Sequence, residues 1–395
     1  MPEDRTARRE VWITGVGLLS SLGEGLEAHW NALNSGAAPV TDAETFAPYV
    51  VHPLVKVDFS TQIPKRGDQR QMEPWQRIGT YAAGLALDSA GLAKNAEILS
   101  KTDMIVSAGG GERDFDVDSA ILGDLATSNN PGQLLNERLL SDLRPTLSLA
   151  QLSNLLAGNI SIVHGVTGSS RTFMGEESCG VDAVRIAHAR IAAGQSEVAL
   201  VGGSCNAERE DTLLLNDLDG DCSKGSFQPV FSGPGRGITS GSMGAFLVLE
   251  SPEHAKARGA KPIAKLSAVW SDRARRANEG ALEQQIRDLL AEAGTQERTA
   301  VLSGATGADK ATAAEAKVLA ETGLPVRAVG NRLGHGFEAH FAASLALATL
   351  CLSRGALFPA LADDPLEQGD DAAERIIVTG IGHWSGEGAA LVEKA

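Results

Sequence analysis

Four chemically capable side chains, Glu176, Glu177, Ser178 and Cys179, stand together between a glycine turn and a helical pattern, within the stretch 172–204, TFMGEESCGVDAVRIAHARIAAGQSEVALVGGS. At a helix N-terminus, free backbone N–H groups can meet an acyl oxygen or an anion. A carboxylate, a hydroxyl and a thiol there are each candidates for acyl chemistry. EESCG misses the G-x-S-x-G elbow of serine hydrolases only at its first residue, which makes Ser178 one candidate nucleophile. His335, in VGNRLGHGFEAHF, is a candidate acid–base group and, on its own, an ordinary loop histidine. His188 and His340 fall in helical patterns and read as helix residues. The four cysteines, Cys179, Cys205, Cys222 and Cys351, form no CxxC pair and have no histidines at zinc spacing, so reduced thiols are expected, with no metal site and no cofactor. The glycine runs MIVSAGGG (104–111) and VLSGATGADKATAAEAK (301–317) lack the Lys-Ser/Thr of a phosphate loop.

These residues need elements to position them. Val181, Val184, Ala187 and Ile191 recur at helical spacing, Gly194 is placed to end the helix, and 197–201 is an apolar run closed by Gly202 and Gly203. The stretch 172–204 therefore predicts a βαβ unit. Upstream, 10–23 reads as a strand breaking into Gly and Ser, followed by a helix over 26–35. The segment 65–91 opens with a basic cluster and continues as a strong helix, and 114–149 is helix-rich and polar. Residues 237–244 are glycine-rich before a strand over 245–250, where tight backbone packing is expected. A short helix and linker over 251–265 divides the chain into two βα-rich halves, 1–250 and 251–395. In the second half, 301–317 reads as strand, loop and helix, and 375–392 as strand, turn and strand.

The central stretch resembles the active-site segment of the β-ketoacyl-ACP synthases of the thiolase superfamily, whose motif A-C-x-S-G precedes a helix and a strand ending in paired glycines. Setting Gly180, Gly202 and Gly203 on their counterparts leaves no gap, and NLLAGNISIVHGVTGSS (154–170) falls into the same register. That register puts Glu177 at the position of the nucleophilic cysteine and Cys179 at that of a serine. In the first histidine motif Thr306, Gly307 and Glu315 hold their places, whereas Gly304 stands where the histidine belongs and Ala308 replaces a threonine. In the K-S-x-x-G-H loop, Gly330 replaces the lysine and His335 keeps the second histidine. Gly241 is kept and Ser242 replaces a glutamate. The residues from His383 to Gly388 replace the family's G-F-G-G-T-N hairpin, with Trp384 either filling the pocket mouth or packed on the core.

The resemblance runs from Val11 to Val392 and implies a thiolase-like five-layered αβαβα sandwich made of two similar halves. By family the activity is acyl transfer, as a 3-oxoacyl-ACP synthase. Condensation needs a thiolate, two histidines and an oxyanion site, and Glu177, Gly304 and Gly330 remove three of the family's parts. What the resemblance implies is then a non-condensing, chain-length-factor-like subunit of fatty-acid or related acyl-chain biosynthesis. Such a subunit shapes an acyl tunnel and dimerises with itself or with a competent ketosynthase. Lys65, Arg66 and Arg70 match positions that dock the acidic acyl carrier protein. The alternative is an active acyltransferase, or a malonyl-ACP decarboxylase, using Glu177 or Cys179. A protonated Glu177 would resemble the glutamine of decarboxylating relatives, and burial and the helix N-terminus pull its pKa in opposite directions.

The chain of 395 residues, 43% of them hydrophobic, holds enough apolar material for one large or two fused domains. A net charge of −15 argues against non-specific nucleic-acid binding. No apolar run reaches the roughly 18 residues of a membrane span, and the charged start MPEDRTARRE lacks the apolar core of a signal peptide. A cytoplasmic protein is the expectation.

Overall fold

The computed structural model describes residues 9–369 and 372–395, so most of the charged N-terminal run lies outside the described residues. Ten strands form the path of one mixed sheet. In the first half these are β1 (Trp12–Ser20), β2 (Asp103–Ser107), β3 (Ser170–Phe173), β4 (Val198–Cys205) and β5 (Met243–Glu250). In the second half they are β6 (Ala264–Asp272), β7 (Thr299–Ser303), β8 (Val326–Ala328), β9 (Arg375–Ile381) and β10 (Glu387–Lys394). Their spatial order is β8-β7-β9-β10-β6-β1-β5-β4-β2-β3. Counted outward from the centre, each half runs first, fifth, fourth, second, third. In both halves the successive pairings are antiparallel, antiparallel, parallel, parallel. Within the sheet the two halves pair where Trp12 faces Lys265 and Ile13 faces Ala264.

Parallel neighbours need long crossovers, usually helical, and the helices sort into layers accordingly. α1 (Arg66–Gln71) is a short surface helix. α2 (Pro74–Ser89) and α3 (Leu155–His164) cover the outer face of the first half. α4 (Glu176–Ala192) carries the residues of interest, and α5 (Glu210–Leu218) follows β4. α6 (Ala281–Ala293) and α7 (Asp309–Thr322) cover the outer face of the second half. α8 (His340–Arg354) and α4 lie between, touching strands of both halves. The result is the αβαβα sandwich. α8 is buried at every residue from His340 to Leu352, as a helix in the middle layer must be, because it has no face left for water. The largest apolar cluster joins Val181, Val184 and Ala187 of α4 to Leu345 and Leu347 of α8 and to strands from both halves.

Two local expectations shift. The helix expected over 26–35 spans Gly25–Leu33. The strand expected to close at Gly202 and Gly203 runs through both to Cys205. A Cβ at Gly202 would stand 2.0 Å from the carbonyl oxygen of Ala245, so this glycine marks the close approach of β4 and β5 and not the strand's end. Among the described residues no helix is long and apolar enough to cross a membrane.

Candidate active site

The site is set by an elbow between β3 and α4. After Phe173 the chain turns through Gly175 (φ 123°) and Glu176 (φ 51°) into the first turn of α4. A left-handed glutamate costs of order 1–3 kcal/mol and persists only where its surroundings fix it. Glu177, the next residue, is thereby driven inward and is 3% exposed.

Glu177 Oε1 accepts hydrogen bonds from His335 Nε2 (2.7 Å) and His383 Nδ1 (2.8 Å). This one acceptor fixes both tautomers at those nitrogens, since each ring must present an N–H to it. His335 is held in turn by its backbone, whose N–H donates to Thr239 O and whose carbonyl accepts from Gly241 N. His383 sits in the turn between β9 and β10. The His335 ring lies 4.6 Å from that of His340 and 4.9 Å from that of Phe337, while Trp384 lies 4.9 Å from His383. Two histidines from the second half thus clasp a carboxylate from the first.

Burial alone would push the Glu177 carboxyl up, but the hydrogen bonds and charges of His335 and His383 overcome it and hold the group well below the usual carboxylate range. The question of its protonation is decided for the carboxylate. The same contact raises His383, where burial acts downward and Glu177 outweighs it, with Glu176 and Asp221 adding to the rise. His340 is lowered by burial and by its neighbour His335. Glu338 is pushed up to about 7, by burial first and then by Glu177 and Glu176. Glu176 is raised by burial and by Glu177.

A cavity of about 400 Å³ opens beside this cluster, lined by Glu176, Glu338, His383, Trp384, Arg209 and Asp219 among others. Its inner wall carries acids. A larger cleft of about 910 Å³ between α4 and β6 contains none of these groups. Most of its cations are already paired, as Arg9 with Glu197, Arg185 with Asp182 and Lys265 with Glu10.

The other sequence candidates fall as follows. Cys179 is buried and its thiol donates to Glu176 O (3.0 Å); burial and the acids nearby push its pKa far above neutrality, so the thiolate route is closed at neutral pH. Ser178 Oγ donates to Gly175 O (3.1 Å) and, among the described residues, makes no hydrogen bond to a histidine. Gly304 has no room for a side chain, since a Cβ there would lie 2.4 Å from Thr379 O and 3.5 Å from the ring of His340. Glu315 fixes this loop by accepting from Ser303 Oγ (2.7 Å) and Thr379 Oγ1 (2.5 Å). Thr306 is buried, accepts from Ala308 N (3.1 Å) to hold the turn before α7, and is not among the residues lining the 400 Å³ cavity. Trp384 does line it and is 56% exposed. Lys65, Arg66 and Arg70 are exposed at α1 and make no ion pair among the described residues. Arg70 edges a separate cleft of about 350 Å³ with Arg77, Arg113 and Arg144.

Three participants were not singled out from sequence: His383, His340 and Glu338. No parity marked His383, which lies in the turn beyond the end of β9, a strand buried on both faces. Nothing linear marked His340 or Glu338, because their significance comes from packing against His335 and Glu176.

Residues 8–255 match the Beta-ketoacyl synthase, N-terminal domain. The chain is 27% identical over 274 residues to 3-oxoacyl-[acyl-carrier-protein] synthase 2 of Vibrio cholerae serotype O1, covering 66% of this chain and 62% of that relative's length. It is 25% identical over 415 residues to the actinorhodin polyketide putative beta-ketoacyl synthase 2 of Streptomyces coelicolor, covering 97% and 98%. Among solved structures it superposes on the ishigamide ketosynthase/chain length factor with a TM-score of 0.79 at 21% identity, over 98% of this chain and 100% of that one. With the repeated strand order and the elbow before α4, the match over residues 8–255 establishes that this chain belongs to the β-ketoacyl synthase family.

Proposed function

We propose that this protein is a non-condensing ketosynthase-like subunit of fatty-acid or related acyl-chain biosynthesis, acting beside a competent ketosynthase and receiving acyl carrier protein in the cytoplasm. The observation that carries the reading is the clasp on Glu177. In the family register this is the nucleophile's position, and it holds a carboxylate fixed by two histidines. An ionised carboxylate so bound forms no acyl thioester and presents no neutral amide-like group, which also speaks against the decarboxylase reading. Cys179, two residues on, is buried, and burial with the acids nearby raises its pKa, which disfavours a thiolate there. Gly304 and Gly330 leave the other family side chains out, and at Gly304 backbone fills the space. The pairing of halves 1–250 and 251–395 around one site is retained while its condensing groups are not. The likeness, at 25% identity over 88% of this chain, to the tetracenomycin polyketide synthase ketoacyl synthase beta subunit of Streptomyces glaucescens supports the subunit role.

The test is to incubate the isolated protein with acyl-carrier and malonyl-carrier thioesters, follow intact mass and product, and repeat after co-expression with a condensing ketosynthase. The expected result is no acyl adduct and no product alone, with co-purification and synthesis in the pair. A stable acyl adduct on the isolated chain would overturn the reading and assign an active acyltransferase.

A further inference from the structure

The two ends of the sheet are finished differently. At one end β8 is buried along its length and covered by its own chain. There Ala328 N donates to Glu367 Oε1 (2.9 Å), and Arg327 donates to the carbonyls of Phe358 (2.8 Å) and Gln368 (3.1 Å). At the other end β3 is the last strand. The carbonyls of Ser169 and Phe173 accept from Met104 N and Ala108 N, so the odd residues of β3 turn their backbone groups toward β2. By alternation the N–H and C=O groups of Ser170 and Thr172 point along the open edge, where they make no hydrogen bond among the described residues.

Uncovered apolar surface adjoins this edge. Met174, directly after β3, is 67% exposed, and Ile162 on the neighbouring α3 is 69% exposed. Arg171 and Phe173, two apart and so on one face of the strand, both line the 910 Å³ cleft against α4 and β6. A free strand edge beside exposed apolar side chains is a template for another chain. Arg171 decides which chain. It is exposed and, alone among the arginines of that cleft, has no ion pair among the described residues. If two copies of β3 met about a two-fold axis, the strands would run antiparallel. The register that bonds both outward residues sets Ser170 against Thr172 of the second copy and Arg171 against the same arginine. That central pair is a non-hydrogen-bonded one, with Cα atoms about 4.5 Å apart and side chains at their closest. Like charges directly opposite are destabilising. The acids around the cleft offer no relief, since Glu10, Asp103, Asp182 and Glu197 are each committed to a cation of the same chain.

We propose that the edge of β3 is the docking surface for a different chain of the same fold, which pairs its own edge strand antiparallel with β3 and sets a carboxylate opposite Arg171. The surface thereby disfavours the chain's own copy and selects a heterologous partner, extending one sheet across two chains. The inference rests on the partner role proposed above and adds where the partner binds and what it carries.

The test lets the chain supply both partners. Full-length wild type and Arg171→Glu are measured by sedimentation velocity, each alone and as an equimolar mixture. Thr172→Pro, introduced into both chains, is the edge control, and melting curves are recorded throughout. Only in the mixture does an arginine face a glutamate. The expected result is mixed association about two- to thirtyfold tighter than either self-association, beyond the statistical factor, with a gap that shrinks as salt is added. Thr172→Pro removes an outward N–H and should weaken every pairing while the melting temperature holds. If it melts low, Arg171→Val carries the comparison: without the like charges it should self-associate more tightly than the wild type. No association in the mixture, equal constants for mixed and self pairs, or a wild type that self-associates as tightly as the mixture would overturn the proposal. So would pairing indifferent to Thr172→Pro in chains that fold. An acyl adduct on the isolated chain would refute the non-condensing role and leave these constants untouched, so the two failures read out separately.

Discussion

Replacing Glu177 by Gln keeps the shape of the clasp and removes its charge. A hydrogen bond to a charged group contributes about 1.5–3 kcal/mol net, against about 0.5–1.5 for a neutral pair. Two such bonds converge on Oε1, so neutralising the acceptor should cost about 2 kcal/mol. The lost charge at the N-terminus of α4 adds up to about 1, and relief of carboxylate burial subtracts from the sum. Glu177→Ala leaves both imidazoles without their acceptor and should cost more, about 3–5 kcal/mol. The pH dependence separates this account from simple packing. Glu177 is depressed, so its contribution is present above the unfolded carboxylate pKa of about 4.3 and is lost as pH falls through the lower folded value. His383 is raised, so its contribution is complete below about pH 6.5 and is lost as pH rises through the higher folded value. The stability gap between wild type and Glu177→Gln should therefore be widest from about pH 4.5 to 6.5 and narrow above it. Urea midpoints and melting curves across that range measure it. A variant as stable as the wild type near the acid end, or a gap that widens as pH rises, would refute the charged clasp.

Reversing the charge of Lys65, Arg66 and Arg70 together should weaken acyl-carrier binding, and added salt should weaken binding to the unaltered protein, because these exposed charges act over a Debye length of about 10 Å at 0.1 M. Equilibrium binding indifferent to both changes would remove α1 from the docking surface. Restoring a histidine at Gly304 should destabilise the fold by about 1–3 kcal/mol and restore no condensation, since its Cβ would lie 2.4 Å from Thr379 O. A Gly304→His variant that melts with the wild type would show that the loop has room.

Much of the architecture was legible without coordinates because it rests on local periodicity. Val181, Val184, Ala187 and Ile191 announced α4, the glycine turn announced its start, and the family register carried the layered fold from end to end. The register also singled out Glu177 and His335, which the structure joins by a hydrogen bond. The paired glycines 202 and 203 were misread as a stop, because a sequence shows that a Cβ is missing and not which neighbouring strand needs its space. The protonation of Glu177 was equally beyond reach: burial and hydrogen bonding oppose each other there, and only the two distances at Oε1 decide the balance. His383, Glu338 and His340 gained their meaning only once the two halves closed on each other. The His383 nitrogen that binds Glu177 comes from a turn more than two hundred residues away, and no spacing rule operates over that length. Local pattern sets which elements form, whereas charge state and the gathering of donors depend on distance and dielectric, which belong to the folded chain alone.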